Sequence, residues 1–181
     1  MANLTPIQRF SENMSEFIAL NRELLTKTYE EGKTTIDPNI VNIVEEVLKV
    51  YNKDKMVNNF ISYSEPYWGE INKRDQSFFS EHCAKVFRDL PKDYVDSFKV
   101  LFESKDDETN EFIVCDEDRT AIWEYLNCLI ATCINHIHHS RGPTWQDGTK
   151  AYSINYRPDV KKLQAWAKIF NLTLEWPPKP S

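Results

Sequence analysis

The stretch from Asp116 to Pro143 constrains this chain more than any other part of it. It opens with Asp116, Glu117 and Asp118, acceptors and negative charges where a helix has unpaired N–H groups and a positive dipole end. It closes with Gly142 and Pro143, which suit the left-handed residue after a helix and the break beyond it. His136, His138, His139 and Arg141 occupy the last turns, where positive charge is favoured. Between these signals Ile122, Leu126, Leu129, Ile130, Cys133, Ile134 and Ile137 recur with a period of about 3.6 residues. Trp123 and Tyr125 widen the apolar arc to roughly half the circumference. Glu124, Asn127, Ala131, Asn135 and His138 fall on the opposite side. A helix this apolar needs several neighbours to cover it. The pattern therefore predicts a central helix over 116–140 in an all-α fold. Glu124, Asn127 and Asn135 interrupt it, so it falls short of the ~20 apolar residues of a membrane span.

The remaining segments supply those neighbours. Thr5 as cap and Pro6 at the first helical position open a helix that Gly32 ends. Its stripe of Ile7, Phe10, Met14, Phe17 and Leu24 has Asn21 where an apolar residue belongs. That reads as an amphipathic bundle helix, or as a short coiled-coil seam pairing two copies through residues 5–31. Asp37-Pro38 starts a second helix with Ile40, Val41, Val44, Val47, Leu48 and Tyr51 facing inward. Shorter pieces follow, around Met56 to Ile61 and after Pro66. One helix is expected from Asp75 to Leu90, burying Phe78, Phe79, Cys83, Val86 and Phe87, and another from Lys92 to Phe102. Phe112 to Val114 suits a short strand or a core plug. Tyr152, Ile154 and Tyr156 alternate after Asp147-Gly148, so a small hairpin over 145–156 is consistent with the pattern. Pro158-Asp159 begins a last helix, and residues 176–181 form a Pro-rich tail. The sum is one helical domain over 1–181, a compact orthogonal bundle of about six or seven helices.

Composition narrows the function classes. The chain has 181 residues, 41% hydrophobic and 28% charged, enough for a proper core. Its net charge of −6 argues against generic nucleic-acid binding. The opening residues MANLTPIQRF are polar, so no secretory leader is expected. Four cysteines without a CxxC pair suit reduced thiols in a cytosolic or nuclear setting.

Candidate chemistry is sparse. Cys133, His136 and His139 are the metal-ligand candidates. At ~100° per residue Cys133 and His139 point about 120° apart, so one ion cannot easily collect both, and no metal or other cofactor is expected. The histidines read instead as solvent-facing groups that complement the helix dipole. No Glu-x-x-His pair of a di-iron bundle, adjacent His-Asp pair, phosphate loop or nucleophile elbow occurs. Lys73, Arg74, Lys85 and Arg88 near Tyr67, Trp68 and Phe78 suggest a strip for single-stranded nucleic acid, but Glu70, Asp75, Glu81 and Asp89 interleave with them. Trp145, Tyr152, Tyr156 and Arg157 follow the most rigid helix and belong to residue types enriched at interface hot spots. They are the candidate partner-binding residues.

Phe60-Ile61, Tyr67-Trp68-Gly69-Glu70-Ile71, Arg74-Asp75, Phe78-Phe79, Asp89-Leu90-Pro91 and Phe98 form a distinctive aromatic series. Ile122-Trp123-Glu124-Tyr125, Ile137-His138 and Arg141-Gly142-Pro143 continue it. The series resembles an uncharacterised protein family of nucleocytoplasmic large DNA viruses. The resemblance implies a viral origin and a place in the virion or the cytoplasm of the infected cell. It implies no reaction and carries over no catalytic residue. Together the readings lead to a non-enzymatic helical protein that binds a viral or host protein, as an assembly component or host-directed factor. A nucleic-acid-associated replication or packaging factor, and an enzyme or zinc protein, are the alternatives.

Overall fold

In a computed structural model, residues 4–141 and 160–174 are described. The hairpin expected over 145–156, the residues Trp145, Tyr152, Tyr156 and Arg157, and the tail over 176–181 lie outside them. Every named element among the described residues is helical, so the fold is all-α.

Two long helices set the frame. α1 spans Pro6–Glu30 and α8 spans Asp116–Arg141. The Thr5 hydroxyl accepts from the Gln8 N–H, and the Gln8 side chain accepts from the Thr5 N–H, a reciprocal cap that starts α1. Gly32 ends it at φ +73°, with the Lys33 N–H returning 2.9 Å to the Thr28 carbonyl. α1 and α8 run antiparallel. Asn13 donates to Thr132 near one end, and Lys27 pairs with Asp118 near the other. Phe10, Met14, Phe17, Ile18, Leu24 and Leu25 of α1 are buried, as are Ile122, Leu126, Ile130, Ile134 and Ile137 of α8.

Asn21 is fully buried and donates to the Phe17 carbonyl at 2.8 Å. The stripe that would form a coiled-coil seam is therefore already covered inside the chain. Pairing of two copies through residues 5–31 would have to expose this core, and the bundle-helix reading holds.

Among the described residues seven further α-helices surround the pair. They are α2 (Val41–Val50), α3 (Lys53–Ser64), α4 (Trp68–Asn72), α5 (Ser77–Glu81), α6 (Cys83–Val86), α7 (Lys92–Glu103) and α9 (Val160–Ile169). That makes nine α-helices among the described residues against the six or seven expected, and part of the excess arises because the helix foreseen from 75 to 90 is divided. His82, at φ −128°, separates α5 from α6. Its ring stacks on Tyr67 at 4.1 Å and its Nε2 lies 3.5 Å from Glu70. Those contacts hold His82 toward the preceding segment, out of helical register. The five apolar residues foreseen there are nonetheless all buried.

An aromatic cluster fills the centre. Phe17 lies 5.7 Å from Phe87 and 5.6 Å from Phe98, and Phe79 lies 4.9 Å from Trp123 and 5.1 Å from Phe102. Edge-to-face and offset pairs of this kind add roughly 0.5–1.5 kcal/mol each beyond the area they bury. Phe112 to Val114 act as a plug: Val114 is buried, and the only backbone pairing there is a single bridge between Lys105 and Phe112. Arg119, on the first turn of α8, fastens this region. Its guanidinium donates to the Phe102 carbonyl at 2.9 Å and to Gln76, and lies 3.8 Å over the Phe112 ring. Tyr51 fastens the other side, donating to Asp89 at 2.7 Å while Asn59 donates to the same oxygen.

Candidate functional site

Two features stand out from a well-covered core. One is a cleft of about 590 Å³ between the start of α1 and the end of α8. The other is an exposed apolar stripe on α2.

The cleft exists because α1 and α8 are antiparallel, which brings the first turn of one beside the last turns of the other. Leu4, Pro6 and Ile7 give it an apolar wall, and Arg9, Asn135 and His139 give it a polar one. Two of the three metal candidates line it. His136 is buried, with only 8% of its surface exposed, and its Nε2 lies 3.1 Å from the Asn58 side-chain oxygen. Burial pushes its pKa below the usual imidazole value, against the pull of Asp54. The neutral ring this favours donates from Nε2 to Asn58. His138 is buried too. The expectation that the histidines at the end of α8 face solvent is therefore wrong for these two. The Asn58 side-chain oxygen on α3 gives His136 a partner that the sequence spacing did not reveal. His139 stays half-buried at the lip.

Cys133 is fully buried and does not line the cleft. Its thiol is pushed well above the usual value by burial alone, so it is protonated and inert. The structure thus separates Cys133 from His136 and His139. Among the described residues no three His, Cys, Asp or Glu side chains gather to hold a metal ion. Ser140, His136 and Asn58 form a row, but not a nucleophile and its base. The Ser140 hydroxyl donates to the His136 carbonyl at 2.6 Å and stands 3.5 Å from Nδ1, so its proton is committed to the helix backbone.

The stripe on α2 comes from a mismatch between the helix and its cover. Val41 and Val44 are buried, and Leu48 is half-buried. Ile43 is 56% exposed and Val50 86% exposed, with Val47 half-buried between them. At ~100° per residue these three share one face, about 10 Å long. Polar groups border it, including Lys49 and Glu46, paired at 2.9 Å, and Glu45, paired with Arg22. The sequence reading placed Val47 in the core and passed over Ile43 and Val50. The signal was present, as apolar residues lying outside the inward arc.

The proposed nucleic-acid strip is not assembled. Trp68 and Phe78 are fully buried and Tyr67 stacks on His82, which takes these aromatics from a base-stacking surface. Arg88 lies over the Tyr63 ring, and Arg74 takes the left-handed position that ends α4, at φ 56°. No helix among the described residues is long and apolar enough to cross a membrane. Comparison with protein families, curated proteins and solved structures finds no match to this chain.

Proposed function

We propose that this chain works by binding another protein, and that the α2 stripe is the surface it uses. One observation carries this reading. Ile43, Val47 and Val50 form a continuous apolar face on a helix whose other side already packs on α1. Exposed aliphatic residues are ordinary when scattered, but three on one helical face make a patch. Its i, i+4, i+7 spacing and charged border match a surface that receives one amphipathic helix of a partner. Trp145, Tyr152, Tyr156 and Arg157, which lie outside the described residues, remain proposed contributors on the strength of their residue types.

The resemblance to proteins of large DNA viruses supports a viral or host partner, in the virion or infected-cell cytoplasm. Of the residues that carry the resemblance, Trp68, Ile71, Phe78, Phe79, Phe98, Ile122 and Trp123 are buried, so at these positions the motif is one of core packing. The nucleic-acid alternative loses its stacking residues. The zinc alternative is weakened because Cys133 is buried away from the cleft that His136 and His139 line.

Position-specific crosslinking tests the proposal. A photoreactive residue placed at Ile43 should capture a protein partner in the cells where the chain occurs. The same residue at Lys49, about 120° around the helix, should not. Equal capture from both positions, or none from Ile43, would remove α2 as the interface.

A further inference from the structure

We infer that the cleft between α1 and α8 is a binding site for a small organic carboxylate with an apolar body. The argument rests on which polar groups are left uncommitted there. Thr132 donates to the Cys128 carbonyl and accepts from Asn13, and Ser140 donates to the His136 carbonyl. Those hydroxyls serve the fold. The Arg9 guanidinium, by contrast, forms no ion pair with any described residue, and the Asn135 amide no hydrogen bond with one. Both face the same space as the His139 ring.

The electrostatics favour an anion. Asp and Glu outnumber Lys and Arg by 28 to 22 in the chain, yet no carboxylate lines this cleft among the described residues. Asp54 is the acidic group whose charge reaches His136, and it is not part of the lining. Arg9 thus meets no carboxylate across the cleft lining, and a planar guanidinium matches a carboxylate in two parallel hydrogen bonds. The Asn135 amide and the His139 ring add polar groups from the opposite helix.

The shape favours an apolar body on that anion. Leu4, Pro6 and Ile7 are half-buried and form one side of the cleft. A volume of about 590 Å³ exceeds what an inorganic ion needs and falls within the size of small-molecule sites, ~300–1,000 Å³. A mainly apolar wall with a few convergent polar groups is the usual composition of such sites.

Titration of the full chain with octanoate, octan-1-ol and inorganic phosphate, followed by amide chemical shifts, separates the contributions. Octanoate should bind and shift the amides of Leu4, Thr5, Ile7, Gln8 and Arg9 and of residues 135–140. Octan-1-ol and phosphate should each bind at least about tenfold more weakly, since each lacks one half of the recognition. Arg9→Gln, at an exposed position, should keep its melting temperature and lose about tenfold in octanoate affinity, with little effect on octan-1-ol. Equal binding of octanoate and octan-1-ol, unchanged affinity in Arg9→Gln, shifts elsewhere in the chain, or no octanoate binding would each overturn the inference.

Discussion

The same chemical change at two isoleucines separates the core from the proposed interface. Ile134 on α8 is fully buried, whereas Ile43 on α2 is 56% exposed. Ile134→Ala deletes three carbons from the centre of the fold. At ~0.8 kcal/mol per buried methylene this loses roughly 2.4 kcal/mol of transfer free energy. The cavity left between α8 and its neighbours raises the total to about 3–4 kcal/mol. At ~2–4 °C per kcal/mol for a chain of this size, the melting temperature should fall by roughly 6–16 °C. Ile43→Ala removes the same atoms from a surface that is mostly wet. Alanine also has the better helix propensity by a few tenths of a kcal/mol. The expected change is below ~1 kcal/mol, or no more than about 2–4 °C. Both variants are compared by calorimetry at one pH and one salt concentration. An unchanged midpoint for Ile134→Ala would mean that α8 is not the packed centre. A fall for Ile43→Ala as large as for Ile134→Ala would mean that the α2 stripe is covered within the chain.

His136 predicts a pH dependence. Its folded pKa lies below the unfolded value of 6.5, so the stability this neutral ring retains is full above about pH 6.5 and is lost as pH falls below it. The loss per pH unit reaches at most ~1.4 kcal/mol for one proton, and His136→Gln should flatten that part of the decline in denaturant midpoints between pH 7.5 and 5; identical slopes would contradict it. Arg119→Lys keeps the charge but cannot reach Phe102 and Gln76 while covering the Phe112 ring, and should cost about 1–3 kcal/mol in chemical denaturation. No loss would show the fastening to be dispensable. Native protein should expose two thiols to a maleimide reagent, Cys115 and Cys128, and release Cys83 and Cys133 only on unfolding. Cys128 should be slow, because burial and Glu124 raise its pKa. Rapid labelling of Cys133 in the native state would refute the description of α8.

The long helices were legible because their ends carry strong local signals. Thr5-Pro6, Gly32 and the acidic run from Asp116 to Asp118 fix backbone geometry by chemistry that acts over one turn. The apolar periodicity then told which face turns inward. What stayed hidden depends on contacts distant in sequence. The break at His82 is held by Tyr67 and Glu70, and the burial of His136 is supported by Asn58, 78 residues away. Neither partner can be read from helical spacing. The cleft was hidden for the same reason, since only the antiparallel pairing of α1 and α8 brings Arg9 near His139. The α2 stripe could have been found, because Ile43 and Val50 break the two-sided pattern of their own helix. It was missed because an apolar residue in a helix is usually credited to the core.

The most direct test of the account is the affinity between this chain and the partner captured from position 43. It is measured for the natural chain and for the double variant Ile43→Asp, Val50→Asp. The substituted positions are 56% and 86% exposed, so the variant should fold and melt within about 4 °C of the natural chain. Two desolvated carboxylates in an apolar contact should weaken binding by roughly a hundredfold or more. Retained affinity in a variant that is folded and stable would contradict the claim that α2 is the surface through which this protein acts.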